Sequence, residues 1–489
     1  MNRWARIGAA GVAIAGVAAL ALVQPWDDDG ERTAADPTTT TTEAPTTTTA
    51  APLEGEPGAD GVGDPYFPQS GNGGYDVDHY TLDLTWRADE GALDGVTTVD
   101  AVATQDLSAF NLDLSGMEVR SVTVDGEAAV VERVERELVI TPETAIANGD
   151  EFTAVVSYSG RPAPVSDGTD LFDVGWQTDG REAFVASEPI GATTFFPVND
   201  HPTDKATYTF RITAPEDQTV AANGLLVAEN DTGHGTRAWT YEARDPMASY
   251  LVQIAIGDYE LVDGGEVEGV AVRHAFHRSL AGQARVTVER TAEMIQLLDD
   301  VYGPYPFEAY GVVAVDEELG FALETQTLTI IGSDIARQGR GADSILAHEL
   351  AHQWVGNSVS PATWKDIWLN EGFASYTEWL LAERTGGLSA ADIARRFEGE
   401  RDFDLAPGDP GSDELFSGTV YIRGAMTLQA LRERIGDEAF FEVLRTWVDE
   451  RRDSVASTPD FIELSERVSG QELDGLFQAW LYEPRLPDL

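Results

Sequence analysis

The sequence predicts a multidomain chain: an N-terminal antiparallel β-sandwich followed by an α+β, mainly helical module that carries a metal site. Three observations predict it. From about residue 75 to residue 262 stretches of apolar residues alternate at every second position, the period of strands with one buried face. Past residue 262 the period lengthens to that of amphipathic helices. Within the helical half, His348-Glu349-Leu350-Ala351-His352 is followed by Asn370-Glu371-Gly372-Phe373-Ala374.

That last stretch is the most informative. Leu346, Leu350 and the lack of internal Pro or Gly predict a helix over residues 344–356. His348 and His352 then sit at i and i+4 and leave the helix on one face, where they can share one metal. Glu349 lies one step around, within reach of a water that a metal activates but not of the metal itself, which is where a general base belongs. Glu371 opens a second periodic segment, residues 371–384, that can return antiparallel and deliver a third ligand. Two nitrogens and one carboxylate leave one tetrahedral position open, the pattern of catalytic zinc; structural zinc is closed and usually held by cysteines. The chain has no cysteine. The expected cofactor is one zinc ion per chain, held by His348, His352 and Glu371. Glu378, two turns beyond Glu371, is placed either to orient a ligand histidine or to face solvent. The three-part pattern resembles the thermolysin-like clan, whose third zinc ligand is a glutamate.

At 489 residues, with 42% hydrophobic residues and 11 tryptophans, the chain is long enough for two or three domains with cores. A net charge of −53 repels nucleic acid and anionic membrane surfaces, so neither is an expected partner. Lys205 and Lys365 are the only lysines, and arginine supplies the remaining positive charge. So acidic a surface fits a saline habitat, where counterions screen self-repulsion, as well as an ordinary solvated exterior. Without cysteine, neither a disulfide nor a lipid-modified cysteine anchor is available.

In chain order, Arg3 and Arg6 precede a mostly apolar run over residues 7–23, the layout of a secretory signal or a signal-anchor. Export is expected either way, with residues 1–26 removed or kept as a membrane tether. Residues 27–72, acidic at Asp27-Asp28-Asp29 and rich in Thr and Pro after that, are expected to be a disordered stalk. The sandwich is expected over residues 73–265. Tyr80, Leu82, Leu84 and Trp86 alternate, as do Phe152, Ala154, Val156 and Tyr158, and Asp125-Gly126 signals a hairpin between Val122-Val124 and Val130-Val131. The catalytic module, residues 266–489, is expected to bring a helix over 285–302, strands over 310–315 and 321–331, the two metal helices, and further helices from Ala390 on.

The zinc motif, the Glu324 stretch and residues 197–207 together resemble the aminopeptidase N family, with likeness running over about residues 74–450. The resemblance implies a saddle-like sandwich domain ahead of a thermolysin-like catalytic domain. In that family a Gly-x-Met-Glu-Asn strand lies along the cleft. Here Phe321-Ala322-Leu323-Glu324-Thr325 stands in its place, with Leu for Met and Thr for Asn. The resemblance implies that Ala322, Leu323 and Glu324 bind substrate, and that Glu188 reaches the cleft from the sandwich. The glutamine expected before Glu188 is replaced by Ala186. The family's catalytic tyrosine matches Tyr421, in Tyr421-Ile422-Arg423-Gly424, with Arg for the usual Lys. Many relatives carry a long C-terminal helical domain; this chain reads as a short form, for which a more open cleft is expected.

The resemblance implies an exported zinc aminopeptidase acting on peptides with a free N-terminus. Glu349 would be the general base, Tyr421 would donate to the tetrahedral oxyanion, and Glu188 and Glu324 would bind the α-ammonium. Two other readings compete: a thermolysin-like endopeptidase, which drops the amine anchor, and a catalytically silent surface-binding module of the same fold.

Overall fold

Along Tyr75–Arg87 the side chains of Tyr80, Leu82, Leu84 and Trp86 are buried while Asp76, Asp78 and Thr85 face solvent, so the strand can be covered on one face only. In the computed structural model, which describes residues 53–166, 172–178, 180–398, 403, 405–487 and 489, this strand lies inside an eight-stranded sheet. The order is Leu225–Asp231, Thr236–Ala248, Lys205–Pro215, Tyr75–Arg87, Ala92–Ala103, Glu151–Gly160, Glu118–Val124, Glu127–Ala128. Its pairings are antiparallel except that of Lys205–Pro215 with Tyr75–Arg87, which is parallel. The chain between those two strands is long enough to make the crossover that a parallel pair needs. Two four-stranded sheets complete the β-rich domain. One holds Leu107–Asp113, Glu137–Thr141 and Val130–Val134, and the other Gly175–Thr178, Ala183–Ala186, Ile254–Gly257 and Thr219–Ala222. Phe110, Leu138, Trp176 and Val185 from these sheets join Leu82 and Leu84 in one core.

Two expectations for this half are corrected. The stalk expected through residue 72 includes ordered structure: Glu56–Pro57 pairs with Leu107–Asp113, and buried Asp64 accepts the backbone N–H groups of Tyr66, Phe67 and Trp364. A carboxylate with three such donors anchors a segment whose composition reads as loop. The remainder of the expected stalk and the apolar run over residues 7–23 lie outside the described residues. The Asp125-Gly126 hairpin forms, but the strand that returns from it is Glu127–Ala128, and Val130–Val134 crosses to another sheet. Within the span expected for the sandwich, Tyr259–Val267 already pairs with Val270–His277 in a new sheet.

That new sheet runs Tyr259–Val267, Val270–His277, Val312–Ala314, Thr329–Ile331, Ala322–Leu323, with Ala309–Tyr310 beside Val270–His277. The single strand expected over 321–331 is instead two short antiparallel strands around a turn that holds Glu324. The expected helix over 285–302 is broken into Ala281–Thr287 and Thr291–Tyr302. Helices make up most of the rest: Asp343–Ala351, Trp368–Arg384, Gly418–Ile435, Asp437–Arg451 and Thr458–Ser469. No helix of the described residues is long and apolar enough to cross a membrane.

Trp368–Arg384 and Gly418–Ile435 cross where Gly372 meets Gly424. A Cβ on Gly372 would lie 2.9 Å from the backbone of Gly424, and one on Gly424 would lie 2.8 Å from Gly372 Cα. This contact lets the helix bearing Tyr421 approach the helix bearing Glu371. Next to it, the fully buried Arg423 donates to the carbonyls of Trp480 (2.7 Å), Leu405 (2.9 Å), Ala479 (3.1 Å), Phe403 (3.2 Å) and Glu483 (2.5 Å). A guanidinium has the donors for that array and an ammonium does not, which accounts for Arg at this position. Gly424→Ala should force the helices apart and destabilise the protein by about 1–3 kcal/mol, read as a lower urea midpoint.

Candidate metal centre and substrate cleft

The ligand helix is shorter than the sequence suggests. It ends at Ala351, and His352 is its C-cap with φ −57° and ψ −25°. His352 N–H still donates to His348 O at 3.3 Å, so the i, i+4 face survives. The returning helix starts at Trp368, which puts Glu371 in its first turn, where the helix dipole favours a carboxylate.

The three expected ligands converge. Glu371 Oε2 lies 3.2 Å from His348 Nε2 and 3.6 Å from His352 Nε2. Tetrahedral zinc with bonds of about 2.0–2.1 Å separates neighbouring ligand atoms by about 3.3 Å, so this donor set fits the ion in chemistry and in spacing. The far side of each ring is held. His348 Nδ1 is 3.0 Å from Glu378 Oε1, His352 Nδ1 is 3.2 Å from Val355 O, and Ser344 Oγ donates to the other oxygen of Glu378 at 2.5 Å. With Nδ1–H donated outward, both Nε2 atoms present lone pairs to the same point. Glu378 thus faces the ligand histidine, not open solvent alone.

Burial shapes the charges. It pushes Glu371 upward, but His352 and His348 outweigh it and hold the carboxyl down at about 2. Burial opposes protonation of His348, yet Glu371 and Glu378 raise its pKa well above the usual imidazole range. Glu349 does not join the ligand group; burial pushes it up to about 8 against the pull of both imidazoles. A carboxylate that binds protons this well is suited to general-base work.

A cavity of about 350 Å³ opens over this group. Glu188 follows the strand Ala183–Ala186 of the β-rich domain, and Glu324 follows the edge strand Ala322–Leu323. One carboxylate oxygen from each lies within 4.8 Å of one from Glu371. Both residues are buried, and Glu324 Oε1 has no hydrogen-bond partner in the protein. Ala322 and Leu323 line the cavity, as expected. The Tyr421 ring stacks on His348 at 5.8 Å and 15°, and burial raises its hydroxyl pKa well above the usual phenol range, so it stays a donor. All the sequence-predicted site residues therefore meet at one cleft.

Several lining residues escaped the sequence reading. Phe172 and Phe321 stack at 4.2 Å across the cleft wall, and Leu319 and Phe416 complete its apolar side. Phe321 lies in the stretch matched to the cleft strand but was given no role, the others carry no motif, and single aromatics in loops have no periodic signal.

A β-rich domain ahead of a helical module, with two histidines and a glutamate around one point, defines a two-domain zinc metallopeptidase. The chain belongs to peptidase family M1: the Peptidase M1 N-terminal domain matches residues 76–251 and the Peptidase family M1 domain matches residues 286–480. An M1 zinc metallopeptidase from Deinococcus radiodurans is similar at 33% identity with a TM-score of 0.82, covering 88% of this chain and 98% of that one. Aminopeptidase M1-B of Oryza sativa subsp. japonica is 27% identical over 326 residues, 61% of this chain and 37% of that protein. Leucine aminopeptidase 2 of Vanderwaltozyma polyspora is 26% identical over 447 residues, 84% of this chain and 66% of that protein. The chain thus spans little more than a third of the plant aminopeptidase.

Glu378→Gln should keep the fold but weaken zinc affinity about 10- to 100-fold, measured by competition with a chromophoric chelator. Because zinc must displace protons from imidazoles whose pKa values are raised, affinity in the wild type should fall as pH is lowered from 8 to about 6.

Proposed function

We propose that this protein is an exported zinc aminopeptidase that removes the first residue from peptides. The observation that carries the reading is the pair Glu188 and Glu324, two buried carboxylates beside the metal ligand Glu371. Such a pair attracts a free α-ammonium, whereas an internal peptide segment offers no positive charge. At about 4 Å and an effective dielectric near 20, one contact is on the order of 4 kcal/mol before desolvation is subtracted.

His348, His352 and Glu371 would hold the zinc, which supplies Lewis acidity toward the scissile carbonyl and lowers the pKa of water. Glu349 accepts the proton of the attacking water and passes it to the leaving amine. The Tyr421 hydroxyl donates to the oxygen on which charge develops; a donor so placed is typically worth about 3–4 kcal/mol. The solved relative supports the reading, since a variant of it is described bound to a Tyr-Ser-Ala substrate. Export rests on the basic and apolar layout of the first 23 residues; retention of the full-length protein in the cytosol after fractionation would overturn it.

Glu349→Gln should retain zinc and lose most of its kcat, because shape and ligands are kept while the base is removed. Glu324→Gln and Glu188→Gln should each lower kcat/KM on free-amine peptides at least tenfold, about 1.4 kcal/mol. Acetylating the amine should abolish turnover. Internal cleavage of acetylated peptides at comparable rates would replace this reading with the endopeptidase one, and a zinc-loaded protein inert on all peptides would favour the silent binding module.

A further inference from the structure

Glu324 lies between two short strands, in a turn that regular secondary structure does not fix. Its backbone carbonyl instead accepts two side-chain amides: Gln353 Nε2 at 2.9 Å and Asn357 Nδ2 at 2.7 Å. Both donors are fully buried and come from the segment that continues the ligand helix, Gln353 being the residue directly after His352. Gln353 also accepts Thr327 N–H on its Oε1 at 2.9 Å. A single amide therefore grips the turn at both ends, something neither a carboxylate nor an ammonium can do because each has one polarity only.

The turn needs holding. Thr327 has φ +63°, a left-handed conformation that a β-branched residue adopts only when its surroundings impose it. The β-rich domain supplies the opposite grip: Gly224 N–H donates to Thr327 Oγ1 at 2.8 Å and Asn223 Nδ2 to Gln326 O at 2.6 Å. It also holds the amide segment itself, since Lys205 Nζ donates to Asn357 O and Ser358 O, both at 2.8 Å. Lys205 is one of only two lysines in a chain that otherwise uses arginine. A compact ammonium can direct rotatable donors at two adjacent carbonyls, which a planar guanidinium fork does not match. Asn357 Oδ1 is buried without a protein partner, so the side chain is oriented to serve Glu324 at the expense of its own second hydrogen bond.

We propose that Gln353 and Asn357 are positioning residues that hold the amine-binding Glu324 at a set distance from the zinc ligands, so that the first peptide bond of a chain, and no later one, reaches the metal. The proposal rests on the aminopeptidase reading above. The metal ligand His352 and the gauge Gln353 are adjacent in sequence, so a shift of one carries the other with it.

The test compares two competitive inhibitors of the zinc-loaded, full-length protein, L-leucinol and its des-amino analogue 4-methylpentan-1-ol. Their Ki ratio in the wild type measures the contribution of the amine. In Gln353→Met and in Asn357→Ala the ratio should shrink at least fivefold while zinc content stays at one per chain, and KM for free-amine substrates should rise more than kcat falls. Asn357→Ser, which retains a small donor, repeats the measurement if Asn357→Ala does not accumulate folded. A purely structural role would lower the melting temperature and leave the ratio of the folded fraction unchanged, and that outcome overturns the proposal. A wild-type ratio near one, unaffected by Glu324→Gln, removes the amine anchor itself and this proposal with it.

Discussion

Four buried carboxylates, Glu188, Glu324, Glu349 and Glu371, face one cavity of about 350 Å³ in a protein whose net charge is −53. Burying like charges together is costly unless cations or hydrogen bonds compensate, and the rest of the site follows from that constraint. Glu371 is stabilised by the two imidazoles, which hold it at about 2. Glu349, without such a contact of its own, is pushed up to about 8. Burial raises the pKa of Glu324 as well, with His352 opposing it. On the proposed reading the cavity receives positive charge at two places, among His348, His352 and Glu371 and beside Glu188 and Glu324.

Holding such a cluster requires a rigid surround, since the carboxylates would otherwise swing out to water. The Gly372–Gly424 contact and the carbonyl cage of Arg423 fix the tyrosine helix against the Glu371 helix. Gln353, Asn357 and Lys205 fix the Glu324 turn against the ligand helix. These contacts are mostly hydrogen bonds to backbone carbonyls, which adds no further negative side chain to an acidic molecule.

The convergence of the site was legible in the sequence because His348 and Glu349 lie on one helix with His352 at its C-cap, where spacing sets geometry. Glu371 was legible because a second helix follows it. Glu324 was legible only through family likeness: the strand reading of its segment missed the turn, since the left-handed Thr327 depends on partners far away in the chain. The strand at Glu56–Pro57 and the anchoring of Asp64 were illegible for the same reason, because the pairing partner and the Trp364 N–H lie in other segments. Alternation gave Tyr75–Arg87 and Glu151–Gly160 correctly because each buries a face locally readable at period two.

Arg423 shows how a departure from the family pattern can preserve a role. Read as a motif, arginine in place of lysine two residues after Tyr421 puts the tyrosine assignment in question. In the structure the residue donates to carbonyls near the end of the chain. What the position must do is anchor the helix, and a guanidinium with five N–H donors does so across a segment that includes the π-helical turn Gln478–Tyr482. Tyr421 keeps its stack on His348 because the helix beneath it is held from the other side. Ala186, where the family pattern has glutamine, is a different case, since an alanine methyl offers no donor or acceptor. On the proposed reading, amine recognition rests on Glu188 and Glu324, and this makes the placement of the Glu324 turn consequential.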